Sequence, residues 1–261
     1  MDKEKNKRLS FYTYGTWITI IAVWFITTET GIVSSRLVPS PIQVVKTFLS
    51  ILTDGYNGIS FWEHIGISMY RLTISSLLAL LTAIPLGLLS GYFDRFRAII
   101  DSIVQFYRPL PPLAYYTLLI LWLGIDESSK ITLLFLAAFA PIYLSCVSAV
   151  GKINPDYIHN AQSLGATKKD IFFTVVLPSC LPDLFVGLRT AVGVAYTTLV
   201  SAEMIAATSG IGWMVIDASR YLKSDVMFVG IIIMGITGLL IDFGLRKLEE
   251  KVVFWKGKEM L

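Results

Sequence analysis

Few residues in this 261-residue chain have the types and spacing that catalysis or nucleotide binding requires. The phosphate-binding loop G-x-x-x-x-G-K-[ST] cradles phosphates with its backbone amides. Gly151 and Lys152 match its second glycine and its lysine, but Ile153 follows and the first glycine is missing. The chain is therefore not expected to hydrolyse ATP alone, and we predict no catalytic residue and no cofactor of its own.

Metal and nucleophile chemistry are equally poorly represented. The two histidines, His64 and His159, are far apart in sequence and predict no metal site. The two cysteines, Cys146 and Cys180, stand in or beside apolar stretches, so we interpret them as small buried side chains rather than as a disulfide. The motifs G-x-S-x-G and H-E-x-x-H are absent. These observations argue against a membrane-embedded enzyme.

The composition indicates a helical membrane protein. Hydrophobic residues make up 54% of the chain and charged residues 16%, whereas soluble domains carry about 25% charged residues. A helix needs roughly 20 apolar residues to cross the hydrocarbon core, and open strands in lipid would leave backbone groups unpaired. We predict an all-α membrane protein with six spans, at about 15–33, 68–92, 112–125 (or from about 99), 131–150, 184–207 and 226–245.

Lysine and arginine placement predicts the orientation, because these residues concentrate in cytoplasmic segments. With the N-terminus inside, the inner segments hold fifteen of them, including Arg108, Lys256 and Lys258, and the outer segments hold five. We therefore expect both termini to be cytoplasmic, in a bacterial inner membrane, with residues 1–261 forming one domain. The cations lie between apolar blocks, so they do not indicate nucleic-acid binding. In the outer segment 34–67, an amphipathic stretch at 44–52 is expected to lie along the membrane surface.

The longest cytoplasmic loop, about 151–183, has helical signals of its own. Asn154 is a suitable N-cap, Pro155 suits the first helical position, and Gly165 suits a left-handed C-cap. Thr167 and Asp170 then have the spacing of a capping box at the start of a second helix. We expect this second helix to end at the two following prolines, Pro178 and Pro182. Two capped amphipathic helices are equally consistent with a docking element for a cytoplasmic partner and with a hairpin that only packs on the bundle.

The loop resembles the EAA loop of ABC importer permeases, in which Glu-Ala-Ala, three residues, Gly, nine residues and Ile-x-Leu-Pro follow one another. Here the spacing from Gly165 to Pro178 is kept, while Asn160 replaces the glutamate, Gln162 the second alanine and Val175 the isoleucine, and two residues rather than three separate Gln162 from Gly165. In that family the loop is the coupling helix, which sits in a groove of the ATPase. The resemblance implies that the coupling residues are Asn160, Ala161, Gln162, Ser163, Leu164, Gly165, Ala166 and Thr167.

Other segments are similar to the branch of this family that imports taurine. They are Tyr107-Arg108-Pro109-Leu110-Pro111-Pro112-Leu113-Ala114, Leu121-Trp122-Leu123-Gly124-Ile125 and Ser128-Ser129-Lys130-Ile131. The resemblance implies the six-helix fold of a type I importer permease, working as a homodimer. It also implies two copies of a cytoplasmic ATPase, which binds the ATP, and a periplasmic or lipid-tethered substrate-binding protein.

Charged residues inside the predicted spans need a reason, since each costs roughly 2.5–3.5 kcal/mol at bilayer depth. Arg71 and Glu203 share the outer leaflet, so one hypothesis is an ion pair between them. The alternatives are that Arg71 and Arg189 snorkel to head groups, and that Glu203 makes a structural hydrogen bond. Three charges at the inner end of the last span are interpreted as interfacial anchors: Asp242, Arg246 and Glu249.

Two further patterns concern packing and the path. Gly87 and Gly91 form a small-xxx-small step, which predicts close helix contact. We expect the path to be polar but weakly binding, and its candidate residues are Thr197, Thr198, Ser201 and Glu203.

Three alternatives to a taurine importer follow from the same residues. An autonomous secondary transporter would need an internal repeat or paired charges at mid-depth, and the sequence shows neither convincingly. An enzyme would need a catalytic cluster. The same importer with another cargo, such as an alkanesulfonate, nitrate or a heterocyclic vitamin precursor, remains the main alternative.

Overall fold

The computed structural model describes residues 2–255, with the backbone alone for residues 2–11 and 13. Lys256 and Lys258, which the orientation argument uses, lie outside this part of the chain. The described chain is almost entirely helical. Its helices are α1 (Asp2–Glu29), α2 (Pro41–Asp54), α3 (Phe61–Tyr92), α4 (Asp94–Tyr107), α5 (Pro112–Leu123), α6 (Glu127–Gly151), α7 (Pro155–Ser163), α8 (Lys168–Ile171), a π-helical turn (Phe172–Val176), α9 (Leu177–Ala206), α10 (Ile211–Arg220) and α11 (Ser224–Val252).

Four of the described helices are long and apolar enough to cross a membrane: Phe61–Tyr92, Glu127–Gly151, Lys168–Ala206 and Ser224–Val252. They correspond to the second, fourth, fifth and sixth predicted spans. The first predicted span falls in α1, which is not among these four, so the count of six spans remains a prediction.

The third predicted span, about 112–125, corresponds to the short helix α5, and its longer version from about 99 is divided between α4 and α5. The Tyr143 hydroxyl donates to Asp101 Oδ1 over 2.7 Å, and the Tyr107 hydroxyl donates to the Leu136 carbonyl over 3.3 Å. The α4 helix therefore runs antiparallel to α6 as far as the middle of α6. The chain then breaks at residues 108–111, where prolines remove backbone donors and disfavour helical geometry, before α5 begins.

This break corrects the predicted position of Arg108. The orientation argument counted it with the inner segments, but it lines a cavity together with residues from the middle of α6, among them Ala140 and Pro141. The reason is that α4, which precedes it, already travels half the length of α6. The remaining inner cations still outnumber the outer ones.

The described chain divides into two compact units, one with residues 2–65 and 209–234 and the other with residues 66–208 and 235–255. The first unit has an apolar core from α2, α10 and α11, which includes Val44, Ile51, Met214 and Val229. The predicted amphipathic stretch at 44–52 is confirmed as part of α2. This helix begins after Ser40, whose side chain accepts a bond from the Gln43 amide.

Polar groups of the first unit hold its connections in place. Asp217 accepts hydrogen bonds from the Tyr56 hydroxyl over 2.9 Å and the Asn57 amide over 2.6 Å. Burial and this carboxylate raise the pKa of the Tyr56 hydroxyl. His64, fully buried, accepts the Gly210 N–H at Nδ1 over 3.1 Å, where α10 begins. Its role here is structural, as its isolation in the sequence indicated.

In the second unit, α6 is the central helix, and glycines let its neighbours approach. A Cβ added at Gly87 would lie 2.5 Å from Cys146 Cβ, and one added at Gly91 would lie 2.5 Å from Val150 Cβ. Both distances are shorter than real contacts allow, so α3 packs with its backbone close to α6. Gly187 brings α9 against Ser145 of α6 in the same way. The predicted small-xxx-small contact is thus confirmed.

The predicted end of the second loop helix at Pro178 and Pro182 is wrong. The chain passes from α8 through the π-helical turn directly into α9, giving one helical segment, Lys168–Ala206. In the π turn the Leu177 amide bonds to the Phe172 carbonyl, five residues back. The Val175 carbonyl accepts the Ser179 hydroxyl over 2.6 Å. The chain thus stays helical through both prolines, with the wider π turn directly before Pro178.

Candidate functional site

The loop between α6 and α9 begins with the short helix α7, which is built by local signals. The Asn154 side chain accepts a bond from the Asp156 amide over 2.9 Å, and Pro155 occupies the first turn. Asp156 is also favourably placed beside the positive end of the helix dipole. The predicted cap and helix start are therefore confirmed.

The elbow after α7 has the hydrogen bonds of a Schellman motif. The Ala166 amide bonds to the Ala161 carbonyl over 3.1 Å, and the Gly165 amide bonds to the Gln162 carbonyl over 2.9 Å. Gly165 has φ +84°, which favours glycine, and open space surrounds its Cα. The next helix starts at once with the predicted capping box of Thr167 and Asp170. These bonds fix the angle between the two helices through the backbone.

The outward surface of α7 is unusual for a packed hairpin. Ile158 and Ala161 are half-buried and pack against the core of the second unit. Tyr157 and Leu164, two further large apolar side chains of this segment, are 60% and 89% exposed. Of the predicted coupling residues, Ala161 and Ala166 are half-buried and the other six are exposed. A helix that exposes large apolar side chains in this way favours a docking surface over simple packing.

A second cluster lies inside the bundle at the first half of α3. The Arg71 guanidinium bonds to Glu203 Oε1 over 2.8 Å and to both carboxylate oxygens of Glu127 over 2.6 and 2.7 Å. The Ser68 hydroxyl also donates to Glu203 over 2.7 Å. The ion pair between Arg71 and Glu203 was one hypothesis from the sequence, and it is confirmed. Arg71 does not snorkel, because its side chain is 2% exposed.

Sequence reasoning missed Glu127, the third member of this cluster. It begins α6, but the sequence placed it in the segment between the third and fourth predicted spans. The nearby Lys130 ammonium lies 3.6 Å from the Glu127 carboxylate and donates to the Ile125 carbonyl over 2.8 Å. Two cations and two carboxylates therefore balance one another, which is what a low-dielectric interior requires. The signal in the sequence was the acidic residue at the first position of an otherwise apolar helix.

A third cluster ties α9 to α11. Arg189 bonds to Asp242 over 3.0 Å and lies 3.5 Å from Glu249, while Arg246 also pairs with Asp242. The interpretation of Asp242, Arg246 and Glu249 as interfacial anchors, and of Arg189 as a snorkelling residue, is therefore replaced by an ion-pair network. Spacing within α11 could reveal only the pair of Asp242 and Arg246, because the partners of Arg189 are 53 or more residues away in sequence.

The candidate path residues separate into two groups. Thr198 and Glu203 are 5% and 1% exposed, and Glu203 belongs to the Arg71 cluster. Thr197 and Ser201 stand one turn apart on a less buried face of α9, and their hydroxyls donate to backbone carbonyls of the same helix. Thr197 and Ser201 are thus the two candidates with surface that a passing solute could touch.

A cavity of about 420 Å³ opens beside this face, and the sequence analysis did not anticipate it. It is bounded by the break between α4 and α5, by the middle of α6 and by Thr190 and Val194 of α9. Arg108 lies at its wall together with the side chains of Tyr107, Tyr115 and Ser145. The available signal was an arginine between apolar runs and beside several prolines. Over residues 2–255, no group of three or more His, Cys, Asp or Glu side chains could hold a metal ion.

Comparison with known proteins places these features in context. Residues 83–254 match the family described as "Binding-protein-dependent transport system inner membrane component". The chain is 38% identical over 245 residues to the taurine transport system permease protein TauC of Escherichia coli (strain K12), a match covering 94% of this chain and 89% of that protein. It is 30% identical to the nitrate import permease protein NrtB of Synechococcus elongatus (strain ATCC 33912 / PCC 7942 / FACHB-805), covering 97% and 91% of the two chains.

A solved structure of the MetNI methionine ABC transporter has the same fold. Its TM-score is 0.61, with 19% sequence identity, and the match covers 71% of this chain and 92% of the other. Together with the four apolar helices, these similarities establish a multi-pass protein of the inner membrane.

Proposed function

Because this chain belongs to the inner membrane components of binding-protein-dependent transport systems, we propose that it is the membrane-spanning subunit of an ATP-driven ABC importer whose cargo is taurine. The observation that carries the proposal is the α7 elbow, with its backbone fixed by hydrogen bonds and its Leu164 side chain 89% exposed. A rigid helix that presents an apolar tip fits a groove on another protein.

The proposed topology has six spans, with both termini and the α7 elbow in the cytoplasm. It is supported by the excess of lysine and arginine in the segments assigned to the inner side. In this arrangement α1 supplies the first span, and α4 and α5 together supply the third. One permease domain of residues 1–261 then contains both compact units and the loop of about 151–183.

The proposed partner of the elbow is a cytoplasmic ATPase, which binds and hydrolyses the ATP. Its groove receives the segment Asn160–Thr167. The Asn160 side chain carries no charge, so recognition rests on apolar contact by Leu164 and on polar contacts rather than on a carboxylate. A secondary transporter would have no use for this surface.

The proposed assembly pairs two copies of this chain with two ATPase subunits and one periplasmic or lipid-tethered substrate-binding protein. ATP closes the ATPases and draws the two elbows together, and the path between the two copies then opens outward. Hydrolysis resets the path to the inner side. The energy for the change is the difference in binding free energy of ATP and loaded binding protein for the two states.

Within this path, Thr197 and Ser201 are the proposed cargo-facing residues of α9, while Thr198 and Glu203 stabilise the bundle. Taurine is the first choice of cargo, supported by the 38% identity to a taurine permease. The alternative cargo is an alkanesulfonate, nitrate or another small solute.

The test is ATP-dependent uptake of labelled taurine into vesicles that contain this chain, its neighbouring ATPase and its binding protein. We expect uptake by the wild type and background uptake by Gly165→Pro, because proline cannot adopt φ +84° and lacks the amide that bonds to Gln162. Assembly of both complexes is checked by co-purification of the ATPase.

The matched control is Gly165→Asn, because asparagine tolerates the left-handed conformation and keeps the amide. This variant should retain most of the uptake. Loss of uptake in Gly165→Asn as well would contradict a conformational role for the elbow. A complete complex that hydrolyses ATP but imports no taurine would overturn the cargo, and import by this chain without an ATPase would overturn the importer class.

A further inference from the structure

The cavity beside the break between α4 and α5 has the properties of a small anion site. Its volume of about 420 Å³ falls within the range of small-molecule pockets, roughly 300–1,000 Å³. The lining residues with polar side chains are Arg108, which is exposed, and Tyr107, Tyr115, Ser145 and Thr190. None of its described lining residues is acidic, so the wall carries the positive charge of Arg108.

Arg108 differs from Arg71 and Arg189, the two arginines inside the predicted spans. Arg71 and Arg189 are each paired with two carboxylates. In the described part of the chain, by contrast, no ion pair involves Arg108. Its charge is therefore available to something that is not a side chain of this unit.

The cavity lies near the middle of the long apolar helices that line it. The α6 residues at its wall run from Leu136 to Ser145, around the centre of Glu127–Gly151, and Thr190 lies in the middle of the segment Lys168–Ala206. An arginine at this depth is expected to face protein or water and to mark a solute pathway. The exposed face of α9 with Thr197 and Ser201 continues from Thr190 at helical spacing.

The geometry points to a station in which Arg108 receives the sulfonate group of the cargo on its way through the membrane. The planar guanidinium offers paired N–H donors to two oxygens of one anion. Tyr115 and Ser145 can supply further hydroxyl donors, whereas the hydroxyls of Tyr107 and Thr190 already donate to backbone carbonyls. No described residue at the wall carries a carboxylate that could pair with Arg108 or bind the ammonium group of the cargo. The cargo is therefore bound through its sulfonate group alone, which keeps the binding weak enough for release. This inference deepens the proposed function and rests on it for the identity of the cargo.

The first experiment measures the charge preference of the cavity itself. In the assembled complex, Thr190→Cys is modified with an anionic sulfonate-bearing thiol reagent and with a cationic one of similar size. The parent with its two native, fully buried cysteines gives the background. We expect the anionic reagent to react faster, the preference to fall about tenfold when Arg108→Gln is added, and taurine to slow the reaction. An equal rate for both reagents, a preference that survives Arg108→Gln, or no reaction with either reagent would overturn the station.

The second experiment measures uptake in the complete complex. Arg108→Gln should lower the initial rate of taurine uptake about tenfold or more, the effect expected from losing one charge-assisted hydrogen bond. Arg108→Lys should retain part of the rate, because it keeps the charge but not the paired donors. The control is Arg95→Gln, a change of an exposed cation in α4 that does not line the cavity, and it should leave uptake unchanged.

The two experiments separate failure of the station from failure of the cargo assignment. Wild-type rates in Arg108→Gln would overturn the station while leaving the importer intact. If the wild-type complex imported no sulfonate but the Thr190→Cys variant kept its Arg108-dependent anion preference, the anion station would stand and taurine would be rejected as the cargo.

Discussion

At the scale of single residues, the Arg71 cluster and the Arg189 network each join charges that lie far apart in the sequence. Arg71 and Glu203 could be placed in one leaflet because hydropathy fixes the depth of each residue in its own span. For Arg189 the sequence offered snorkelling, and Asp242 and Glu249 were interpreted as interfacial anchors, since depth alone does not say which helices are neighbours. Their pairing is a property of tertiary packing.

The Arg71 cluster leads to a prediction about coupling energies. Arg71→Gln leaves the fully buried Glu203 carboxylate without its cation and should cost about 3–5 kcal/mol of stability. Glu203→Gln should cost less, because Arg71 keeps its two bonds to Glu127. The double variant should be more stable than the sum of the single effects implies, by about 1–3 kcal/mol. Thermal unfolding of the four proteins in detergent measures this cycle, and additive effects would contradict the buried pair.

At the scale of elements, short-range signals predicted structure reliably where all the partners are within a few residues. The Asn154 cap, the Gly165 elbow and the Thr167–Asp170 box are each closed by bonds spanning two to five residues, so their sequence patterns determine them. The expected stop at Pro178 failed for a related reason. A π turn, closed by a hydrogen bond that spans five residues, lies directly before Pro178, and the simple rule for proline does not include such a turn.

The glycine contacts of α3 lead to a prediction about packing. Gly87→Ala should destabilise the protein by about 1–3 kcal/mol, because the new methyl group would lie 2.5 Å from Cys146 Cβ and 2.9 Å from the Tyr143 carbonyl oxygen. Gly66→Ala in the same helix meets nothing within 4 Å and should stabilise the helix by up to about 1 kcal/mol. Unfolding midpoints of the two variants test the contrast. Equal shifts would mean that helix propensity, rather than close contact with α6, determines the effect.

At the scale of the whole molecule, hydropathy and charge predicted the class of protein but not the construction of every span. Four spans correspond to single helices of the described chain. The third could not be drawn correctly from hydropathy, because Arg108 and the surrounding prolines divide it into the amphipathic α4 and the short apolar α5. The same division created the Arg108 cavity, so the part of the span that sequence reasoning described least well is where the further site lies.

The proposed topology leads to a labelling prediction. Ser128 at the start of α6 and Ser163 at the end of α7 are both exposed, and cysteine is a close replacement for serine. In intact cells a membrane-impermeant maleimide should label Ser128→Cys and should reach Ser163→Cys only after permeabilisation. The native cysteines are buried and supply the background control. Labelling of Ser163→Cys from outside would invert the topology and remove the elbow from the ATPase side.

In the Schellman elbow, the geometry of the backbone and the chemistry of the exposed surface depend on different atoms. Its angle is set by main-chain atoms, whereas the side chains of Asn160, Gln162, Ser163 and Leu164 point into solvent and take no part in those bonds. Substitutions at these four exposed positions can therefore accumulate without changing the angle between α7 and the next helix. Such substitutions are expected to change which partner surface the helix fits while leaving its angle to the next helix unchanged.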